Sequence, residues 1–93
     1  MAKTSKLVSF FRCSSSQYGI TAHHISLFVS IYSVYESNNY ASQFQVSRRR
    51  LMQLSKIQSK ATYHKCLKDL IDKGYILYHP SYHPLEGSKI IIN

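Results

Sequence analysis

Three consecutive arginines, Arg48, Arg49 and Arg50, follow Ser47 at the start of a predicted helix. Ser47 suits the N-cap position, but positive charges in a first helical turn oppose the helix dipole, which favours Asp or Glu there. Arg50 stands where a Glu would bond back to the cap. This arrangement costs a few tenths of a kcal/mol to ~1 kcal/mol per charge. It predicts an external anion such as phosphate, bound by backbone N–H groups and arginines together; an ordinary solvated surface is the alternative.

A second set of polar side chains lies on the helix predicted over residues 59–73, opposite an apolar face that contains Tyr63, Leu67 and Leu70. If this helix is the second of a helix-turn-helix, its N-terminal part meets base edges in the major groove of DNA. We therefore expect base contacts from Ser59, Lys60, Ala61, Thr62, His64 and Lys65. Phosphate contacts are expected from six cations, namely Arg48, Arg49, Arg50, Lys56, Lys68 and Lys89. A solvated helix face is again the alternative.

The net charge is concentrated in the same part of the chain. The 93 residues carry a formal charge of +8, and the pI is about 9.7. Residues 42–73 contain eight basic and two acidic residues, a net +6, whereas residues 74–93 are neutral overall. Such an excess predicts a polyanionic partner, either nucleic acid or an acidic membrane surface.

The elements that would position these residues can be read from periodicity and breakers. Thr21 is expected to cap a helix that runs to about Glu36, with its core face formed by Ile25, Phe28, Ile31, Tyr32 and Tyr35. Residues 44–46 alternate like a short strand. Leu51, Met52 and Leu54 are expected to face inward from the helix after Ser47, and Ile57 to plug the turn at residues 55–58.

The C-terminal part of the chain is predicted to form a β-hairpin. Gly74 suits the left-handed position that ends a helix, residues 75–78 and 88–92 read as strands, and the loop between them contains both prolines. The expected fold class is α+β, mainly helical: a winged helix-turn-helix over residues 20–93, with a three-helix core and a C-terminal wing. Residues 1–19 form an N-terminal arm, a helix or strand that contacts a second copy or docks on its own core.

Several classes of function are disfavoured. The four acidic residues supply no paired carboxylates, and no phosphate-binding glycine loop is present, so we expect neither an enzyme nor a bound cofactor or small molecule. His79 and His83 lack nearby cysteine or carboxylate partners for a metal. Cys13 and Cys66 show no pairing pattern, and the apolar run after Lys6 is too short for a signal peptide or a membrane span. A cytoplasmic protein is predicted.

Residues 54–90 resemble the winged helix-turn-helix domains of small bacterial regulators, which are found with conjugative and other mobile elements or replication modules. Their SK-x-TYH helix start matches Ser59 to His64, and their GYI-x-Y-x-PS-x-NP-x-x-GS wing matches Gly74 to Ser88 with His83 in place of asparagine. Residues 21–28 resemble their first helix. Two acids usually stand where Arg49 and Arg50 occur here, which implies a larger electrostatic contribution. The resemblance implies DNA binding.

These observations together predict that the protein binds duplex DNA, as a homodimer, in transcription control or mobile-element maintenance. Two alternatives remain at this point. One is a protein-interaction winged helix that uses a surface rich in tyrosine, since the chain contains 8 of them. The other is RNA binding, although the narrow major groove of A-form RNA excludes a helix.

Overall fold

The computed structural model describes residues 6–80 and 87–93. Within them the fold is α+β, with four helices and a small antiparallel sheet. The elements in chain order are α1 (Lys6–Ser15), α2 (Ala22–Ser37), β1 (Phe44–Val46), α3 (Arg48–Ser55), α4 (Lys60–Asp72), β2 (Ile76–His79) and β3 (Ser88–Ile92).

Helix α2 supplies the centre of the core. Thr21 is its N-cap, as predicted, and Phe28, Ile31 and Tyr35 are buried. Ile25 and Tyr32 of the predicted core face are half-buried and pack against this core. The buried face also includes Leu27 and two polar residues that were not predicted in it, His24 and Ser30, at 3% and 4% exposure. Both polar side chains can be buried because they are hydrogen-bonded: His24 to Thr21 and Asp69, and Ser30 to the carbonyl of Ser26.

Helix α1 docks on this core through one aromatic side chain. Phe10 is 2% exposed and stacks on Phe28, with ring centroids 3.8 Å apart and an interplanar angle of 9°. The ring of Tyr75 meets Phe10 edge-on at 4.8 Å. At the start of α1, Lys6 Nζ donates to the carbonyl of Ile92 at 2.7 Å, which ties the helix to the last strand. A contact of this arm with a second copy stays a prediction.

Helices α3 and α4 are joined by a short, well-packed turn. Lys56 adopts the left-handed conformation at φ 65°, and Ile57 is 3% exposed, which confirms it as the plug of the turn. Ser26 on α2 donates to the carbonyl of Ser55 at 2.6 Å. The prediction for Leu54 was wrong: its side chain is 37% exposed, and Ser55 is buried instead, at 4%. The last turn of α3 thus contacts α2 through Ser55, whose carbonyl accepts the hydrogen bond from Ser26.

Helix α4 buries the face that the sequence predicted, with Tyr63, Cys66, Leu67 and Leu70 in the core. Gly74 follows at φ 81°, so the left-handed helix end is confirmed. The strand after it begins at Ile76, one residue later than predicted, and Tyr75 packs on Phe10 instead.

The sheet has the order β1-β3-β2, with β3 in the middle and antiparallel to both neighbours. Ile90 pairs with Phe44 on one side and with Tyr78 on the other, and its side chain is fully buried. Gly87, immediately before β3, passes very close to β1: a Cβ at this position would lie 2.5 Å from the carbonyl oxygen of Val46. A glycine is therefore required where the chain enters the central strand.

Candidate nucleic-acid interface

The N-terminus of α3 presents the three arginines to solvent. The Ser47 hydroxyl accepts a hydrogen bond from the backbone N–H of Arg50 at 3.1 Å, so the predicted cap is confirmed. Arg48, Arg49 and Arg50 are all exposed, and no acidic residue lies in the first turn. In residues 6–80 and 87–93, no carboxylate forms an ion pair with any of them. No acidic side chain of the described residues therefore neutralises their charges.

Arg48 connects this helix end to α4. The pKa of Tyr63 is raised to about 12, first by burial and then by the Tyr78 hydroxyl, while the positive charge of Arg48 acts in the opposite direction. Arg48 is thus close enough to Tyr63 to act on its hydroxyl. Exposed cations lie both on the first turn of α3 and on the N-terminal half of α4, where they are Lys60 and Lys65.

The turn between the helices adds a further cation. The backbone of Lys56 is left-handed and its side chain is exposed, while the residues on either side of it, Ser55 and Ile57, are buried. Ser55 Oγ accepts from the N–H of Ile57 at 3.4 Å. Anchored neighbours hold the Lys56 backbone in place and leave its ammonium group in water.

The outward face of α4 carries most of the predicted base contacts. Ser59 caps the helix by accepting from the N–H of Thr62 at 3.2 Å. Five of the six predicted residues are exposed, and these are Ser59, Lys60, Ala61, His64 and Lys65. Thr62 is half-buried on the flank of the helix. Lys68, assigned to phosphate, is exposed a turn further along.

One polar cluster at this site was not found from the sequence. His24, buried on α2, lies 2.8 Å from Asp69 Oδ2 on α4, and Lys65 Nζ donates to the same oxygen at 3.1 Å. The hydrogen bonds from His24 and Lys65 hold the pKa of Asp69 below its usual value against a smaller, opposing effect of burial. Asp69 and His24 are 45 residues apart. Only the i, i+4 spacing of Lys65 and Asp69 could have hinted at part of it.

Lys89 is exposed on the outer face of the sheet, where its Cα partners are Gln45 on β1 and His79 on β2. A groove of about 270 Å³ lies between the sheet and α3, and its lining includes Val46, Arg50 and Gly87. The predicted wing loop also carries Tyr82 and His83, which lie outside the described residues.

The described residues contain no group of three or more His, Cys, Asp or Glu side chains that could hold a metal ion. Nor does any helix in them have the length and apolar character needed to cross a membrane. Cys66 is buried and Cys13 exposed, both as free thiols.

Comparison with known proteins yields no relative: no protein-family model, no curated protein and no solved structure matches this chain. The function must therefore be argued from the residues of the chain itself.

Proposed function

We propose that this protein is a winged helix-turn-helix protein that binds duplex DNA in the cytoplasm and acts in transcription control or in the maintenance of a mobile element. One observation carries the proposal: three exposed arginines stand at the capped N-terminus of α3 with no acidic residue in the first turn. A helix end with this composition is unfavourable by itself and favourable beside a phosphate, which accepts from both the backbone N–H groups and the guanidinium groups.

The order of elements supports the same proposal. Helix α3, a short turn, helix α4 and then the antiparallel strands β2 and β3 follow one another as they do in winged helix-turn-helix domains. In such an arrangement α4 enters the major groove, and its exposed N-terminal residues reach base edges. Arg48, Arg49, Arg50, Lys56 and Lys68 then contact the phosphates on either side, and Lys89 on β3 contacts the backbone beyond them.

The protein-interaction alternative loses support from the positions of the tyrosines. Among the described residues only Tyr18 and Tyr40 are exposed, at 99% and 55%, while the other tyrosines are buried or half-buried. Tyr18 precedes α2 and Tyr40 follows it. Since a helix of the length of α2 spans roughly 24 Å, these two side chains do not form one continuous surface.

Competition binding tests the proposal against RNA binding. A labelled duplex is bound at fixed salt and then displaced by unlabelled duplex DNA or by a structured RNA of equal charge. We expect duplex DNA to compete better, because the deep, narrow major groove of A-form RNA excludes α4. Equal or better competition by RNA would contradict the proposal.

A homodimer is part of the proposal and has its own test. Selection of binding sites from random duplexes with purified protein should enrich a palindrome whose half-site centres are about 10 bp apart. Enrichment of a single, asymmetric half-site would show that one copy binds alone.

A further inference from the structure

We infer that Asp69 is a positioning residue for DNA recognition: through a bond to the buried His24, it holds the ammonium group of Lys65 at a fixed place on the recognition face of α4. This inference rests on the proposed function, and it adds which of the exposed cations discriminates between sequences.

The buried end of the cluster is fixed by the start of α2. The backbone N–H of Thr21 donates to His24 Nδ1 at 3.0 Å, and the Thr21 hydroxyl lies 2.8 Å from the same nitrogen. Because a backbone N–H can only donate, Nδ1 carries the lone pair, and the ring proton is on Nε2. That proton points to Asp69 Oδ2 at 2.8 Å. His24 is 3% exposed, so its ring has no freedom to turn to water.

The outer end of the cluster is a lysine that would otherwise be free to move. The side chain of Lys65 is 74% exposed, yet its ammonium group is 3.1 Å from Asp69 Oδ2. In the described residues, Lys65 is the one cation of the proposed interface that a carboxylate holds. A long lysine side chain has many rotamers, and binding costs less when one of them is already selected.

The bond to Asp69 leaves Lys65 able to bind DNA. An ammonium group has three donors, and the carboxylate uses one of them. Two remain for the O6 and N7 acceptors of a guanine in the major groove. The carboxylate also competes with phosphate for the ammonium group, which lowers the contribution of Lys65 to sequence-independent attraction. A lysine held in this way favours base recognition over phosphate contact.

Asp72 provides a matched control, since it is exposed on the same helix and forms no ion pair in the described residues. Asp69→Asn and Asp72→Asn each remove one negative charge from α4. Both should strengthen binding to a scrambled duplex, because each removes a negative charge that repels the phosphates. Only Asp69→Asn loosens the bonds to His24 and Lys65.

The experiment compares discrimination, defined as the ratio of Kd for a scrambled duplex to Kd for a duplex that wild-type protein enriches from a randomised pool. We expect Asp69→Asn to lower this ratio roughly five-fold or more, and Asp72→Asn to leave it unchanged. Lys65→Met, a surface change that leaves the bond between His24 and Asp69 in place, should lower the ratio to the same extent. Asp69→Asn should then have no further effect in the Lys65→Met background, as a double-mutant cycle would show.

Four results would overturn the inference. The first is an equal effect of Asp69→Asn and Asp72→Asn on the ratio, which would mean that net charge alone matters. The second is a further loss when Asp69→Asn is added to Lys65→Met. The third is an unchanged ratio in Lys65→Met, which decides the matter even if Asp69→Asn does not fold. The fourth is salt-dependent binding without any sequence enrichment, which removes discrimination but leaves duplex binding intact; failure to bind any duplex would refute the proposed function itself.

Discussion

Helices α2 and α3 both begin after a hydroxyl residue, Thr21 and Ser47, and neither has an acidic residue in its first turn. They differ at the third helical position. In α2 this residue is His24, whose buried ring accepts from the Thr21 N–H and reaches Asp69 on α4. In α3 it is Arg50, which is exposed and cannot accept a hydrogen bond. We call the start of α2 closed, because the residue at this position is buried and bonded within the protein, and the start of α3 open, because the residue there is exposed.

This difference separates a helix end that stabilises the fold from one that is available for binding. A closed N-terminus adds to folding stability and offers nothing to a ligand. An open N-terminus with three arginines lowers the stability of its own helix and gains when an anion binds. Changes at the two ends should therefore have opposite consequences for stability and for DNA binding.

The largest effect is expected from the combined change Arg48→Ala, Arg49→Ala and Arg50→Ala. Three phosphate contacts would be lost, so affinity for a duplex at moderate salt should fall on the order of 10²- to 10³-fold. The free energy of unfolding should stay equal or rise by a few tenths of a kcal/mol, because the repulsion with the helix dipole disappears. Fluorescence anisotropy and urea denaturation measure the two quantities.

The single change Arg12→Ala serves as the control for this experiment, since Arg12 is exposed on α1 and outside the proposed interface. Its effect on affinity should be smaller than that of Arg49→Ala. Retained DNA binding in the triple variant would show that the open helix end is not the phosphate site.

The closed end should respond in the opposite way. His24→Ala removes a buried ring, the bond to Thr21 and the partner of Asp69, so we expect a loss of about 2 kcal/mol in the free energy of unfolding. The neighbouring change His23→Ala is matched and exposed, and should alter stability by less than ~0.5 kcal/mol. Equal effects of the two changes in urea denaturation would mean that the His24 cluster contributes nothing to stability.

The features that could be predicted from the sequence are those that depend on residues close together in the chain. The caps Ser47 and Ser59, the plug Ile57 and the apolar face of α4 were predicted because each depends on residues within one or two turns. Leu54 was assigned wrongly, since its exposure depends on how α3 packs against other helices. The exposed cations of the candidate site could be named, because exposure follows from the same periodicity. The bond between His24 and Asp69 joins two helices and leaves no local signal.

The substitution Ser47→Asp would place a negative charge of the protein itself at the open N-terminus of α3. Asp is as good an N-cap as Ser, and its carboxylate would sit beside the three arginines. Ser47→Asp should therefore raise the free energy of unfolding by about 0.3–1 kcal/mol and lower affinity for a duplex several-fold. Ser47→Asn, which caps without charge, is the control. Stronger DNA binding by Ser47→Asp would contradict an anion site at this helix end.

Low pH should reduce the stabilisation that Asp69 gives to the His24 cluster, and this effect on the free energy of unfolding should be smaller than that of His24→Ala. The pKa of Asp69 is lowered in the folded protein, first by the hydrogen bond from His24 and then by that from Lys65. Its contribution to stability is thus present above the unfolded pKa of about 3.9 and is lost as the pH falls through the folded pKa. The difference in unfolding free energy between wild type and Asp69→Asn should be at most ~1 kcal/mol at neutral pH and should shrink below about pH 4. Asp72→Asn should show a smaller dependence in the same titration; an equal one would remove the special role of Asp69.

The central claim is tested most directly by the salt dependence of binding to a duplex. If about five of the six assigned cations contact phosphates at the same time, the plot of log affinity against log salt concentration should have a slope near −4 to −5. In the variant without Arg48, Arg49 and Arg50 the slope should decrease in magnitude by about 3. Binding that is insensitive to salt, or a slope that the triple change leaves unaltered, would contradict the assignment of these arginines to phosphate.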